Sequence, residues 1–132
     1  MRGYIAITPD ELAELIADGE ISVETAFIPT KLFKATNSDL GEEESEYILS
    51  LLAADDSLSY QGENAKFSFA LAVDLEDSQL GVELDVEVNL TSPIKFSQAD
   101  CLFVGEVDSE DGELTWYAAQ EIALQLPSWQ AQ

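Results

Sequence analysis

Between Lys66 and Leu90 the sequence twice alternates apolar residues with small or acidic ones, and that period of two constrains the fold more than any other feature. In the first run Phe67, Phe69, Leu71 and Val73 fall on one side of a strand, with Ser68, Ala70 and Ala72 on the other. Small residues on one side let another layer approach closely, so this strand is expected in the interior of a sheet. The second run, Val82 to Leu90, reads as one strand with Val82, Leu84, Val86, Val88 and Leu90 sharing a face and Glu83, Asp85, Glu87 and Asn89 sharing the opposite face. The short connection EDSQLG makes an antiparallel hairpin the simplest link between the two.

The first half of the chain is helical in period. Tyr4 to Ile7 reads as a strand, and TPDELAELIADG as a helix: Thr8 caps it, Pro9 takes the first position, Glu11 completes a capping box and Gly19 ends it. TAFIP is a second strand, Thr30 to Ala35 is at most a helical turn, and TNSDLG is a loop. Asp39 with Glu42 offers another capping box. It opens a helix with Tyr47, Ile48, Leu51 and Leu52 as its buried stripe and an end between Asp55 and Ser57. Beyond the alternating runs, Cys101 to Val107 is a strand. ELTWYAAQEIALQL is expected to be a helix that presents Leu114, Tyr117, Ala118 and Ile122 on one face and stops at Pro127. The order β-α-β-(α)-α-β-β-β-α predicts one α+β domain over residues 1–126, with a short tail over 127–132. Its expected core is a mixed sheet of about five strands with helices packed on one face. The other face would then meet water, where Glu83, Asp85 and Glu87 belong.

Charge narrows the partners. Against 27 acidic residues the chain sets five cations, Arg2, Lys31, Lys34, Lys66 and Lys95, for a net charge of −22. The apolar content of 46% separates this from the disordered acidic class, so a packed core is expected. Acids are spread along the whole chain, which makes the field a property of the molecule and not of a tail. Such a field repels nucleic acid and anionic membrane and speeds encounter with basic proteins. The N-terminal apolar stretch is too short for a signal peptide, and nothing approaches the ~20 apolar residues of a membrane span, so a cytoplasmic protein is expected.

Several chemistries are excluded by residue type. There is no histidine, which removes catalytic triads, histidine metal sites and imidazole relays. The single cysteine, Cys101, lies in the apolar run CLFV, reads as a buried thiol and has no activating base. No phosphate-cradling glycine loop occurs, and no cofactor is implied. The acidic turn at Asp108, Glu110 and Asp111 fails the calcium-loop spacing in both registers tried; weak divalent binding there, or at Asp74, Glu76 and Asp77, is the most that remains. Two functional readings follow. The leading one is a non-catalytic protein-binding or regulatory domain. It meets a basic partner through Glu83, Asp85 and Glu87, with Trp116 as an apolar anchor, and the carboxylate row doubles as a nucleic-acid mimic because alternate strand residues stand ~6.8 Å apart. The alternative is a small enzyme using Glu121 with Tyr117 in a pocket beside the last helix.

Three blocks, MRGYIAITPDELAELIADGEI, EEESEYILSLLAA and ELTWYAAQEI, resemble a family of small uncharacterised proteins of actinobacterial type. The resemblance implies a cytoplasmic domain with no assigned activity. It carries over no catalytic residue.

Overall fold

The structure, a computed structural model, describes residues 1–130. Seven strands form one sheet in the spatial order β5-β6-β3-β1-β4-β8-β9: β1 Arg2–Ala6, β3 Thr25–Phe27, β4 Phe67–Asp74, β5 Leu80–Leu84, β6 Glu87–Leu90, β8 Ala99–Glu106 and β9 Leu114–Ala118. A two-residue ribbon, β2 Glu20–Ile21 with β7 Ile94–Lys95, lies apart from it. The helices are α1 Pro9–Asp18, α2 Lys31–Thr36, α3 Glu42–Gln61 and α4 Ile122–Gln130. Among the described residues each pairing of neighbouring strands is antiparallel, so the α+β class stands while the sheet is larger than expected and not mixed.

The start of the fold follows its local signals. Thr8 Oγ1 accepts from the Glu11 amide at 3.2 Å, Glu11 Oε1 accepts from the Thr8 amide at 3.1 Å, and Gly19 leaves α1 through the left-handed region at φ 80°. The second capping box does not form. Gly41 stands at the N-cap of α3, without a side-chain bond, and the helix runs past Ser57 to Gln61.

Both faces of the sheet are covered, which corrects the expectation of helices on one side. One face carries Ile5, Phe69, Leu71, Val73, Val88 and Leu102, buried against Leu12 and Leu15 of α1, Ile122 and Leu126 of α4, and the β2–β7 ribbon through Ile21 and Ile94. The other carries Tyr4, Phe27, Ala70, Ala72 and Cys101 beneath Leu49, Ala53 and Ala54 of α3. The small side of β4 does what its residues suggest: Ala70 and Ala72 form a shallow trough that receives the two alanines of α3. Close approach also decides which side of α3 is buried. Leu49, Ser50, Ala53, Ala54 and Ser57 face the sheet, whereas Tyr47 and Leu52, assigned to the buried stripe by period alone, are exposed. Ser57 Oγ donates to the Ile7 carbonyl at 2.8 Å and accepts from the Phe69 amide at 3.2 Å. The last β1–β4 pair is Ala6 with Ala70, so this hydroxyl stands where the next ladder bond would lie.

Two segments depart from their period. The run Val82 to Leu90 is not one strand but a hairpin: Leu84 pairs with Glu87 across a two-residue turn in which Asp85 has φ 41°, a conformation aspartate tolerates better than most side chains. A turn of two residues leaves the alternation in sequence unbroken while exchanging which parity faces which layer. The hairpin expected between β4 and β5 is also absent, because β4 pairs with β1 and β8 while β5 lies at the far edge. The segment expected to be the last helix begins instead as β9. Leu114 to Ala118 pairs with Gly105 to Cys101, after a loop in which Gly112 has φ 65°. Aromatic and β-branched residues in LTWYA fit a half-covered edge strand, and pairing with β8 overrides the helical propensity of the longer window.

Pro127 does not terminate α4 but lies inside it, so residues 127–130 of the expected tail are helix; 131–132 lie outside the described residues. Trp129 explains the continuation. It is 3% exposed and packs edge-on against Phe69 at 5.4 Å and Tyr117 at 5.3 Å between ring centroids. Burying ~200 Å² of indole at ~25 cal/mol/Å² contributes about 5 kcal/mol, which exceeds the ~3 kcal/mol a helix-interior proline costs.

Candidate functional site

A sheet of seven strands at ~4.8 Å spacing is about 29 Å wide, and one helix is about 10 Å across. Along its face α3 therefore covers the middle strands and leaves both flanks bare. The flank beyond β3 and the flank beyond β8 each hold a cleft, and their chemistry differs.

The first cleft, about 460 Å³, lies between β3 and the C-terminal half of α3, closed at one end by the start of α1. Glu11, Glu24, Asp56 and Tyr60 line it, with Thr25 and Phe27 as part of its floor. Its lining, among the described residues, includes no lysine or arginine. Partial burial first, and then the neighbouring carboxylates of Asp56, Glu87 and Glu24, hold the Tyr60 hydroxyl above the ordinary phenol pKa, so it stays a neutral donor. The Glu11 carboxylate is occupied by the Thr8 amide, which leaves Glu24 and Asp56 as the acids of this cleft free of that duty.

The three hairpin carboxylates do not form the row expected of them. Glu83 opposes Val88, which is buried on the α1 face, whereas Glu87 opposes both Leu84 and Phe27, on the α3 face. Two of the acids, Glu83 and Glu87, also have a local partner. Glu83 Oε1 accepts from the Lys31 amide at 3.0 Å, at the first turn of α2, and Glu87 Oε1 accepts from the Thr25 hydroxyl at 3.0 Å. The Asp85 carbonyl accepts the hydroxyl of buried Thr30, which in turn caps α2 through the Phe33 amide. The hairpin is thus pinned to α2, and only Glu87 belongs to the cleft's electrostatic surroundings. Val82 and Leu84, expected inside, are exposed on the uncovered flank.

The second cleft, about 340 Å³, lies between the N-terminal half of α3 and strands β1, β8 and β9. Tyr4, Phe103 and Leu114 give it an apolar floor, and Glu43, Glu46 and Tyr47 form its helical wall. Trp116 stands beside Phe103 on the same face and is 57% exposed, so one ring of the Trp116–Tyr117 pair lies at a boundary while the other enters the core against Trp129. The strand, and not a helix, separates them: adjacent strand residues point to opposite faces. Burial raises the pKa of Cys101, opposed by Arg2 and by a side-chain hydrogen bond from Trp116, which keeps the thiol protonated at neutral pH. Arg2 is held by Asp100 at 2.8 Å and lies over the Tyr4 ring.

Glu121 and Tyr117 do not share a cleft of this kind. Glu121 Oε1 accepts from the Ala118 amide at 2.9 Å, closing the turn between β9 and α4, and Tyr117 packs on Trp129. The cleft that reaches α4 is lined by Trp129 and Gln130 and, among the described residues, by neither Glu121 nor Tyr117. In the acidic turn, Asp111 accepts from the Ser109 hydroxyl and, at 3.5 Å, from the Glu113 amide. No group of three or more Asp, Glu, Cys or His side chains among the described residues is gathered to hold a metal ion.

The model of a family of unknown function, DUF6912, matches residues 1–112. This chain belongs to that family. The DUF6912 match takes in the trough, α3 and the whole acidic cleft, and it ends before β9, so ELTWYAAQEI lies beyond the matched residues. No curated protein and no solved structure matches the chain. Among the described residues no helix of this DUF6912 member is long and apolar enough to cross a membrane.

Proposed function

We propose that this chain is a non-catalytic cytoplasmic protein-binding domain that engages a basic partner at the flanks of α3. The observation that carries the reading is the cleft of Glu24, Asp56 and Tyr60, which is acidic, next to Glu87 and, among the described residues, lined without a cation. A lysine or arginine entering it would meet two carboxylates and an aromatic face, an arrangement suited to charge-assisted bonds and cation–π attraction. The net charge of −22 steers such a partner in from a distance and discriminates against nucleic acid and anionic lipid. Mimicry of nucleic acid is not part of the proposal, since it relied on a single-faced carboxylate row that the hairpin divides.

The test is affinity capture from cytoplasmic extract at low and high salt, with the wild-type chain and with the combined variant Glu24→Gln, Asp56→Asn, Glu87→Gln as bait. A basic protein retained at low salt, released at high salt and lost with the variant is expected. Equal retention by the neutralised variant, or retention of acidic proteins alone, overturns the proposal.

A further inference from the structure

Both flanks end in an edge strand, β5 on the first and β9 on the second, but β5 is broken by a register shift between Leu80 and Glu83 whereas β9 pairs in unbroken register. Among the described residues β9 is the last strand of the sheet and pairs with β8 alone, so its outer side presents backbone donors and acceptors without a neighbouring strand, save the Ala118 amide, which donates to Glu121. Edge strands are commonly protected by a proline, a bulge or a lysine, and LTWYA has none of these. Thr115 and Trp116 on it are exposed. Directly inboard lies the cleft floored by Tyr4, Phe103 and Leu114, and the exposed rings of Tyr47 and Trp116 stand at its margins.

We propose that β9 receives an extended, lysine- or arginine-bearing segment of another protein as an eighth strand. An apolar side chain of that segment enters the Phe103–Leu114 cleft, and a cationic one reaches Glu43 and Glu46. The inference rests on the reading above that the partner is basic, and it fixes where and in what conformation the partner binds. Charge selects the occupant. Among the described residues Arg2 is the one cation lining the cleft, and it is paired with Asp100, so the local field is set by Glu43 and Glu46 of the acidic first turns of α3. A second copy of this chain would bring another −22 to the same edge and is disfavoured by repulsion, whereas a cationic strand is attracted. Strand addition supplies main-chain hydrogen bonds, and alternate side chains then meet the cleft and the solvent in turn, which is how sheet edges recognise extended peptides. Aromatic rings at the margin of an apolar pocket are the side chains that dominate such interfaces.

The probe is a short synthetic peptide that alternates threonine with leucine and lysine in turn, so that leucine and lysine share the face turned to the cleft, compared with the same peptide carrying two internal prolines in place of threonines, which keeps the charge but cannot form a ladder. Binding is followed by the emission of Trp116, the exposed one of two tryptophans, and by amide shifts across the chain. The alternating peptide is expected to bind at least tenfold tighter than the proline peptide and to shift the amides of residues 114–118. Trp116→Ala, at an exposed position, is expected to weaken it about tenfold, and Tyr47→Ala gives an independent check on the opposite margin. Equal binding of the two peptides, or shifts confined to Glu24, Asp56 and Glu87, overturns strand addition and leaves the acidic-cleft reading in place. Binding of neither peptide overturns both. A dimer in light scattering that Trp116→Ala dissociates overturns the assignment of the occupant.

Discussion

Replacing Ser57 by alanine tests how α3 is fixed to the sheet. The hydroxyl is fully buried and serves three groups: it donates to the Ile7 carbonyl and accepts from the Phe69 amide and from Gln61 Nε2. Gln61 Nε2 also donates to the Phe67 carbonyl at 2.9 Å, so its loss is partial. The Ile7 and Phe69 groups lose this partner in a dry site, at about 1–3 kcal/mol each. Allowing for some closure of the two strands, the net destabilisation is about 3 kcal/mol, a large share of the 5–15 kcal/mol that holds an ordinary domain folded. With an unfolding entropy of about 2.1 cal/mol/K per residue over 132 residues, that lowers Tm by about 11 °C. Urea melts of Ser57→Ala beside Ser59→Ala, whose exposed hydroxyl bonds only Asp56 of its own turn, measure it directly. The Ser59 variant is expected within about 0.5 kcal/mol of wild type. A Ser57→Ala loss below about 1 kcal/mol would show that Ile7 and Phe69 close their own ladder bond and that the hydroxyl is no bridge.

Trp129→Ala removes the ring that carries α4 through Pro127, and a loss of about 3–5 kcal/mol in a denaturant melt is expected, with near-ultraviolet circular dichroism reporting the loss of the Phe69–Trp129–Tyr117 cluster. Burial raises the pKa of Cys101 and of Tyr4, so the folded state holds these protons more tightly than the unfolded chain does. Their contribution is present in full at neutral pH and is lost as pH rises from the ordinary thiol value of 9.0 through the raised folded-state values, so stability should fall on the alkaline side in thermal melts from pH 8 to 11. With no histidine, the same melts should be nearly flat between about pH 6 and 8. Salt should stabilise: raising sodium chloride from about 0.05 to 0.5 M screens the self-repulsion of the −22 charge and is expected to raise Tm by several degrees, and an unchanged Tm would show that the acids are too far apart to repel.

Where the sequence speaks through a local mechanism, it is legible. The Thr8–Glu11 box, the Gly19 stop and the small side of β4 need only neighbours along the chain or one packing partner, and all three are found. Parity across a tight turn is not legible in that way. Val82 to Leu90 alternates as evenly as an unbroken strand, and only Asp85, a residue tolerant of positive φ, hints at the turn that sends Glu83 and Glu87 to opposite faces. The final segment failed for another reason: ELTWYAAQEIALQL joins a strand to a helix, and its averaged propensity concealed the aromatic, β-branched beginning. The Asp111–Gly112 pair before it is a turn signal that could have separated them. The acidic cleft was not readable at all, because Glu24, Asp56 and Tyr60 come from a loop and a helix that only the α3 trough brings together. Trp116, chosen from the sequence as an apolar anchor, is an exposed ring on a strand where a helix was expected.

The alanine trough under α3 makes that helix the common wall of two rooms. Ala53 and Ala54 rest on Ala70 and Ala72 with little side chain between them, so any added methylene at these four positions jacks the helix off its seat or tips it sideways. Tipping toward β3 narrows the acidic room as it widens the aromatic one, and tipping toward β8 does the reverse. An occupant of one flank wedged hard enough to tilt this rod would change the width of the other.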